Sequence, residues 1–208
     1  MEKTVFLFRR HPSRDREDFG RYYIQKHAPL GVKLTRCLLG YTVNLVETEG
    51  GPGAITEHWV PEALDILTPE KAYATREDFE EVLHDDQNLF AGFELYVVDQ
   101  EVEAAPGKPI EAPLGQPTPG TKLVWFIADP VTAPPPPTGA LRVVDNRVRH
   151  KLVHDGNGAW KEIAPEFKLI RMAWTSDVDQ IGPAASDALI VKEHCFIRAP
   201  AWEPATAG

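Results

Sequence analysis

The first half of the chain alternates between apolar runs and segments with helical spacing. The apolar runs predict four β-strands, at Thr4–Arg10, Cys37–Val46, Ala54–Val60 and Phe93–Val98. A first helix is predicted to begin after Ser13 and to end at Pro29. A second helical region begins at the capping box Thr75-x-x-Asp78. The resulting order, βαββαβ, is typical of a ferredoxin-like unit, an α+β fold in which helices cover one face of an antiparallel sheet.

Proline marks the boundary of this unit. Ten of the 19 prolines fall at positions 106–137, where they favour extended polyproline conformations and interrupt helices and central strands. We therefore divide the chain into a first domain at residues 1–104, a proline-rich linker at residues 105–120 and a second unit at residues 121–208.

The second unit resembles a shortened copy of the first. In this comparison Leu123–Ala128 corresponds to strand one, Arg147–His154 to the end of the first helix, Phe167–Trp174 to strand two and Ala188–Ile197 to strand three. The pair Glu193-His194 then matches Glu57-His58. We expect a truncated ferredoxin-like unit without the second helix and the fourth strand.

Composition and charge exclude several kinds of partner. The 208 residues include 22 basic and 31 acidic side chains, for a net charge of −9, which argues against nucleic acid or an anionic membrane as the main partner. No run reaches the roughly 20 apolar residues of a membrane span, and the first residues lack a signal-peptide core. Cys37 and Cys195 show neither metal-ligand spacing nor a disulfide framework. We expect a cytoplasmic protein.

Two longer stretches resemble a known family. The segment FLFRRHPSRDREDFGRYYIQKHAPL, followed by GY, resembles the opening of the EthD family of dimeric α/β-barrel proteins. The segment EHWVPEALDILTPEKAYATREDFEEVLHDDQNLF resembles that family's third strand, second helix and acidic turn. The resemblance covers residues 3–100 and implies a sheet that pairs with a second unit to form a barrel around an apolar pocket. It also implies a small apolar oxygenated ligand. The barrel could close within one chain or between two, and we expect a homodimer.

His27 is the first candidate for chemistry. It ends an amphipathic helix on the face that looks toward the sheet, so it could exchange a proton with an oxygenated substrate, or it could be a structural cap of the helix. Tyr41 or Arg9 could stabilise an enolate. One acid of the pair Asp85-Asp86 could orient His27, and a solvated acidic turn is the alternative.

His58 and His194 are further candidates. Neighbouring residues of a strand point to opposite faces, so Glu57 and His58 cannot line the same pocket if the strand is regular. Because both repeats carry a histidine here, we place His58 and His194 in the barrel lumen. The alternative is a half-exposed position at a sheet edge.

The chain lacks the usual cofactor motifs. It contains no P-loop and no Gly-x-Ser-x-Gly elbow, and we expect no cofactor and no metal. The favoured function is a cofactor-independent lyase, cyclase or isomerase that uses acid–base chemistry on a small aromatic or polyketide-like compound. One alternative is a non-enzymatic binding protein for a hydrophobic metabolite. Another is a haem-dependent oxidative enzyme with His154 or His27 as the iron ligand.

Overall fold

The computed structural model describes residues 1–104, 111–154, 160–176 and 187–200. Its strands are β1 Glu2–Arg10, β2 Gly40–Val46, β3 Ala54–Val60, β4 Phe90–Ala104, β5 Thr121–Ile127, β6 Arg142–His154, β7 Trp160–Ile163, β8 Leu169–Thr175 and β9 Leu189–Ile197. The α-helices are α1 Arg16–Tyr22, α2 Ala28–Leu34, α3 Pro69–Ala72 and α4 Arg76–Leu89. A π-helical segment, Tyr23–His27, joins α1 to α2, and 3₁₀ turns lie at Ala63–Leu67 and Pro130–Thr132. None of the helices in these ranges is long and apolar enough to cross a membrane.

Eight of the strands form a closed antiparallel barrel. Their order is β4-β1-β3-β2-β9-β5-β8-β6, and the pairing of β4 with β6 closes the ring. The strand β7 adds to the outer edge of β6. The barrel therefore closes within one chain, which resolves the alternative left open by the sequence. The expected homodimer is not needed for closure and stays a prediction.

The first half follows the predicted order of elements, with one correction at Pro29. The helix does not end at this proline but continues as α2 to Leu34. The π-helical segment makes this possible, because the Ala28 N–H bonds to the Tyr23 carbonyl and Pro29 then falls in the first turn of α2. A first-turn proline has no intrahelical N–H bond to lose. The capping box at Thr75 is present as predicted.

The second half differs more from the prediction. The segment that contains Arg147–His154 is the strand β6 and not the end of a helix. From Asn146 onward, the buried Asn146 and the half-buried Val148 alternate with the exposed Arg147 and Arg149, which is the two-residue period of a strand. The half also supplies four barrel strands, so the expected loss of the fourth strand is wrong.

A layer of polar side chains crosses the barrel interior. Each barrel strand contributes one residue to this polar layer, which consists of Lys3, Asn44, Glu57, Gln100, Lys122, Asn146, Trp174 and Glu193. Glu57 lies at its centre, where it bridges the ammonium groups of Lys3 and Lys122. Next to the layer, apolar side chains from both halves pack together, including Val5, Ile55, Val124 and Met172. The lumen is therefore occupied by packed side chains, and the expectation of a lumenal pocket is wrong.

The two halves use matching residues in this layer. Lys3 lies over the Trp59 ring at 4.7 Å, and Lys122 lies over the Trp174 ring at 4.4 Å. In the same way, the side-chain amides of the β2 and β6 asparagines each donate to an isoleucine carbonyl of the neighbouring strand, at 3.0 and 2.9 Å. The halves therefore correspond as β1 to β5, β2 to β6, β3 to β8 and β4 to β9. The sequence comparison aligned the first of these pairs correctly, and it was wrong in matching β8 with β2 and β9 with β3.

Candidate active site

An aromatic cavity lies outside the barrel, between the helices and the outer face of β1, β2 and β3. Its volume is about 730 Å³, which is within the range of small-molecule sites. Most of its wall is aromatic or aliphatic, and the aromatic side chains are Phe6, Phe8, Tyr23, Tyr41, Tyr73, Phe79, Phe93 and Trp160. A flat apolar compound would be enclosed by ring faces and edges here.

His27 forms a hydrogen-bonded pair with Asp85. Its Nδ1 lies 2.7 Å from Asp85 Oδ2, and the Tyr22 hydroxyl donates to the other carboxylate oxygen at 2.5 Å. Burial opposes ionisation of Asp85, but the bonds from His27 and Tyr22 outweigh it and lower the pKa of the carboxyl. The ionised Asp85 fixes the ring orientation of His27, whose imidazole lines the cavity.

The local backbone explains this placement. His27 is the last residue of the π-helical segment, whose wider turn allows the chain to continue into α2 past Pro29. Asp85 lies on the inner side of α4, which begins at its capping box ten residues earlier in the chain. The Tyr23 ring meets the His27 ring edge-on at 4.8 Å, and Phe90 meets it from another side at 5.1 Å. The imidazole is therefore held by packing as well as by its hydrogen bond.

Asp86 presents a second carboxylate to the same cavity. Its Oδ1 lies 3.8 Å from His27 Nδ1, and its side chain retains 39% of its accessible surface. Enclosure by the cavity wall raises the pKa of Asp86 to about 6, with the neighbouring Asp85 charge acting in the same direction and His27 opposing it. Asp85 and Asp86 are thus adjacent acids with pKa values pushed apart, an arrangement common at acid–base sites.

Two buried tyrosines complete this end of the cavity. Tyr23 and Tyr41 are 0% and 3% exposed, and burial raises the pKa of both phenols above the usual range. Both hydroxyls therefore stay protonated at neutral pH. A neutral phenol at this position can donate a hydrogen bond to a developing oxyanion.

His58 lies on the cavity side of β3, and not in the lumen as expected. The register of β3 places Glu57 in the polar layer and His58 on the opposite face, stacked on Tyr41 at 4.8 Å. Phe6 meets the His58 ring edge-on at 4.9 Å. Burial lowers the pKa of His58 to about 3, so the imidazole is neutral.

The other two predicted site residues, Arg9 and His194, lie in different places. Arg9 lies at the rim of the cavity, where its side chain is 65% exposed and 3.6 Å from Glu94. Like His58, His194 does not face the lumen. It follows Glu193 on β9, and because Glu193 faces the lumen, His194 points to the opposite face. Its Nδ1 lies 3.0 Å from the Gly115 carbonyl oxygen. The structure therefore brings His27, Tyr41, His58 and Arg9 to one cavity and leaves His194 apart.

Comparisons with known proteins identify the fold. No protein-family model and no curated protein matches the chain. Among solved structures, it is similar to an anthrone oxidase-like protein, with 13% identity and a TM-score of 0.54 over 99% of this chain and 96% of that one. It is also similar to a "Putative monooxygenase" from Fusobacterium nucleatum subsp. nucleatum, with 11% identity and a TM-score of 0.50 over 94% and 92% of the two chains. Both neighbours are dimeric α/β-barrel proteins. This chain has a related barrel.

At these identities the likeness concerns the dimeric α/β-barrel fold alone, and the EthD resemblance is not confirmed. The second half of the barrel contributes Lys151, Val153 and Trp160 to the cavity wall, which sequence reasoning missed. Trp160 lies 5.4 Å from Phe93, across the edge where β6 and β7 extend beyond the barrel. The sequence offered little reason to place Trp160 in a cavity wall, because a lone tryptophan after a glycine-rich turn is more often a core residue.

Proposed function

We propose that this protein is an enzyme that removes a proton from a small enolisable or phenolic aromatic compound bound in the cavity. The observation that carries the proposal is the His27–Asp85 pair, with 2.7 Å between Nδ1 and Oδ2 and the imidazole on the wall of an aromatic cavity. A carboxylate on Nδ1 keeps the proton there and leaves Nε2 as the base. The reaction class is that of a cofactor-independent lyase, cyclase or isomerase.

Four polar residues at this end of the cavity have a role in such a step. His27 takes the proton, and Asp85 stabilises the imidazolium that forms. The neutral Tyr41 hydroxyl stabilises the negative charge on the substrate oxygen. Asp86 can return a proton to the product, since its pKa of about 6 lies near the working range of a general acid. The apolar wall excludes water and strengthens these interactions.

Anthrone is a suitable first test compound, because it is flat, apolar and enolisable, and a neighbour of similar fold is described as anthrone oxidase-like. Proton removal is measured as the exchange of its C10 hydrogens with deuterium in D₂O without oxygen. We expect the wild-type protein to accelerate exchange over buffer and His27→Ala to lower that rate by about 10²–10⁴-fold. Asp85→Asn should also slow exchange, because it removes the charge that orients and stabilises the imidazole.

A matched control comes from a histidine outside the cavity. His150 is 43% exposed and pairs with Glu162 at 2.7 Å on β6 and β7, so His150→Ala should leave exchange unchanged. Exchange by His27→Ala at the wild-type rate would contradict the proposed base. Tight binding of anthrone with no acceleration by the wild-type protein would instead favour the alternative of a non-enzymatic binding protein.

Oxidation is the second candidate, because the two structural neighbours are an anthrone oxidase-like protein and a "Putative monooxygenase". The deprotonated compound would react with dioxygen, so that anthrone and O₂ give anthraquinone and water. Proton removal by His27 is the common first step, and oxygen uptake separates the two outcomes. Oxygen consumption that depends on His27 would assign the protein as an oxidase, whereas exchange without consumption would retain the lyase, cyclase or isomerase class.

The haem-dependent form of this candidate rests on the same histidine. Metal-bound histidines commonly donate their other ring N–H to a carboxylate, as His27 does to Asp85. The side chain of His154, the other candidate ligand, lies outside the described residues. Bound haem would supply oxygen and electron-transfer chemistry. Haemin addition tests this directly, because a His27-dependent shift of the haem absorption band supports it and an unchanged spectrum removes it.

A further inference from the structure

His58 is a buried polar side chain without a protein partner. The residue is 8% exposed and lines the cavity, and its Nδ1 is buried with no hydrogen-bond partner. Most buried side-chain nitrogens in proteins are hydrogen-bonded, and an unpaired one costs free energy. In the part of the chain that is described, Nε2 has no hydrogen-bond partner either, and because Nδ1 is enclosed by protein, Nε2 is the nitrogen left to meet a ligand in the cavity.

The surroundings of His58 are aromatic on several sides. Tyr41 stacks on one ring face, with an interplanar angle of 24°, and the Phe6 ring contacts it edge-on at 81°. Burial and the nearby His27 lower the pKa of His58, and Glu57, the preceding residue on the same strand, raises it by less. The imidazole therefore stays neutral. A neutral imidazole offers one N–H donor and one acceptor nitrogen, and it does not neutralise an anion. Its natural partner is therefore an uncharged carbonyl or hydroxyl group.

We propose that His58 determines specificity by hydrogen-bonding an oxygen of the bound compound, so that the cavity selects aromatic ketones and phenols over hydrocarbons of the same shape. This inference rests on the proposed function for the location of the ligand, and it adds the ligand class. A site built to hydrogen-bond a ligand oxygen rejects the analogue that lacks it, because the polar group is then left unpaired. His58 positions the ligand and is distinct from the base His27.

The test compares two compounds of the same ring skeleton. Anthrone has a carbonyl group where 9,10-dihydroanthracene has a methylene group, and equilibrium dialysis measures the binding of each. We expect the wild-type protein to prefer anthrone by about tenfold, the gain from one net hydrogen bond. In His58→Phe, which retains the ring and loses both nitrogens, this preference should disappear, while binding of the hydrocarbon stays within about twofold of wild type.

Two further measurements separate ligand recognition from a structural role. Thermal unfolding of ligand-free His58→Phe should give a midpoint equal to or above that of wild type, because the unpaired nitrogen is removed. His58→Gln, which restores a donor and an acceptor, should recover part of the anthrone preference. An equal loss of affinity for both compounds in His58→Phe, or an unchanged preference, would overturn the inference, as would a wild-type protein that binds neither compound.

The outcome is independent of turnover. If anthrone is preferred through His58 but its C10 hydrogens do not exchange, the specificity role stands and the proposed acid–base function fails. If exchange depends on His27 but the preference for anthrone does not depend on His58, the enzyme function stands and this inference fails.

Discussion

Replacing Glu57 with glutamine removes one of four buried charges that cross the barrel. Lys3, Glu57, Lys122 and Glu193 sum to zero charge, and the side chains of Lys3, Glu57 and Lys122 are only 1–4% exposed. Glu57 is the only carboxylate among them that contacts both lysines. In Glu57→Gln the layer keeps two ammonium groups against one carboxylate.

The structure sets the size of the effect. Removing one partner of a buried ion pair costs about 3–5 kcal/mol, because the remaining charge is left without compensation. Burial already lowers the pKa of Lys3 to about 8, with Glu57 opposing that shift. Without Glu57 the pKa of Lys3 should fall further. Because the unfolded chain then binds the extra proton, the stability of the variant should rise relative to wild type as pH increases from about 6 to 9.

Urea unfolding at pH 7 measures the cost, and Glu80→Gln is the matched control. Glu80 forms an exposed pair with Arg76, with side chains 56% and 85% exposed, so the same chemical change there should cost less than about 1 kcal/mol. A second variant, Lys3→Met with Glu57→Gln, leaves the pair of Lys122 and Glu193 intact at 2.8 Å.

The double variant should be more stable than Glu57→Gln alone. Lys3 is the better residue to remove, because its other partners are the neutral amides of Gln100 and Asn146 at 2.9 and 2.8 Å. A loss below about 1 kcal/mol in Glu57→Gln would contradict this expectation. So would a double variant whose loss equals the sum of the two single losses, because stabilisation by the neutrality of the layer predicts a smaller combined loss.

Two further predictions concern the cavity and the start of β2. Asp86→Asn should be more stable than wild type at pH 8, because the raised pKa of about 6 means that the ionised Asp86 destabilises the folded protein. Thermal unfolding measures this gain, which should vanish near pH 4, where Asp86 is protonated in the folded protein. A variant that is less stable than wild type at pH 8 would contradict the prediction. Gly40→Ala should lower the free energy of unfolding in urea by about 1–3 kcal/mol, because the new Cβ would lie 2.8 Å from both the Ala199 Cα and the Trp59 ring. Gly31→Ala is the control and should not destabilise the protein, because its Cβ would lie 3.9 Å from its nearest neighbour.

Local patterns predicted the first half well, because its elements carry strong local signals. The capping box at Thr75 begins α4 as expected, and the apolar run Ala54–Val60 appears as β3 with the expected bounds. The interpretation failed at Pro29, where the outcome depended on the π-helical segment before it. Such a segment is one inserted residue in a helical turn, and it has no composition of its own.

The candidate site was predicted in part, because some of its residues also belong to local sequence patterns. The residues around His27 and the Asp85-Asp86 pair form a sequence pattern, and the structure brings them into contact. The facing of His58 was misjudged, because alternation along β3 says that Glu57 and His58 point to opposite faces without saying which face meets the helices. Lys3 and Lys122 decide it, since they hold the carboxylate of Glu57 inside the barrel.

Local sequence patterns and composition establish an α+β chain with a net charge of −9, the order of elements in its first half and the residue types available for acid–base chemistry. The folded structure was needed to show that the second half supplies four strands, that the barrel closes within one chain, and that the cavity lies between helices and sheet. These features escape local patterns because strand pairing and side-chain facing depend on long-range contacts. Residues as distant as Lys3 and Asn146 meet in the polar layer, and no local pattern encodes that contact.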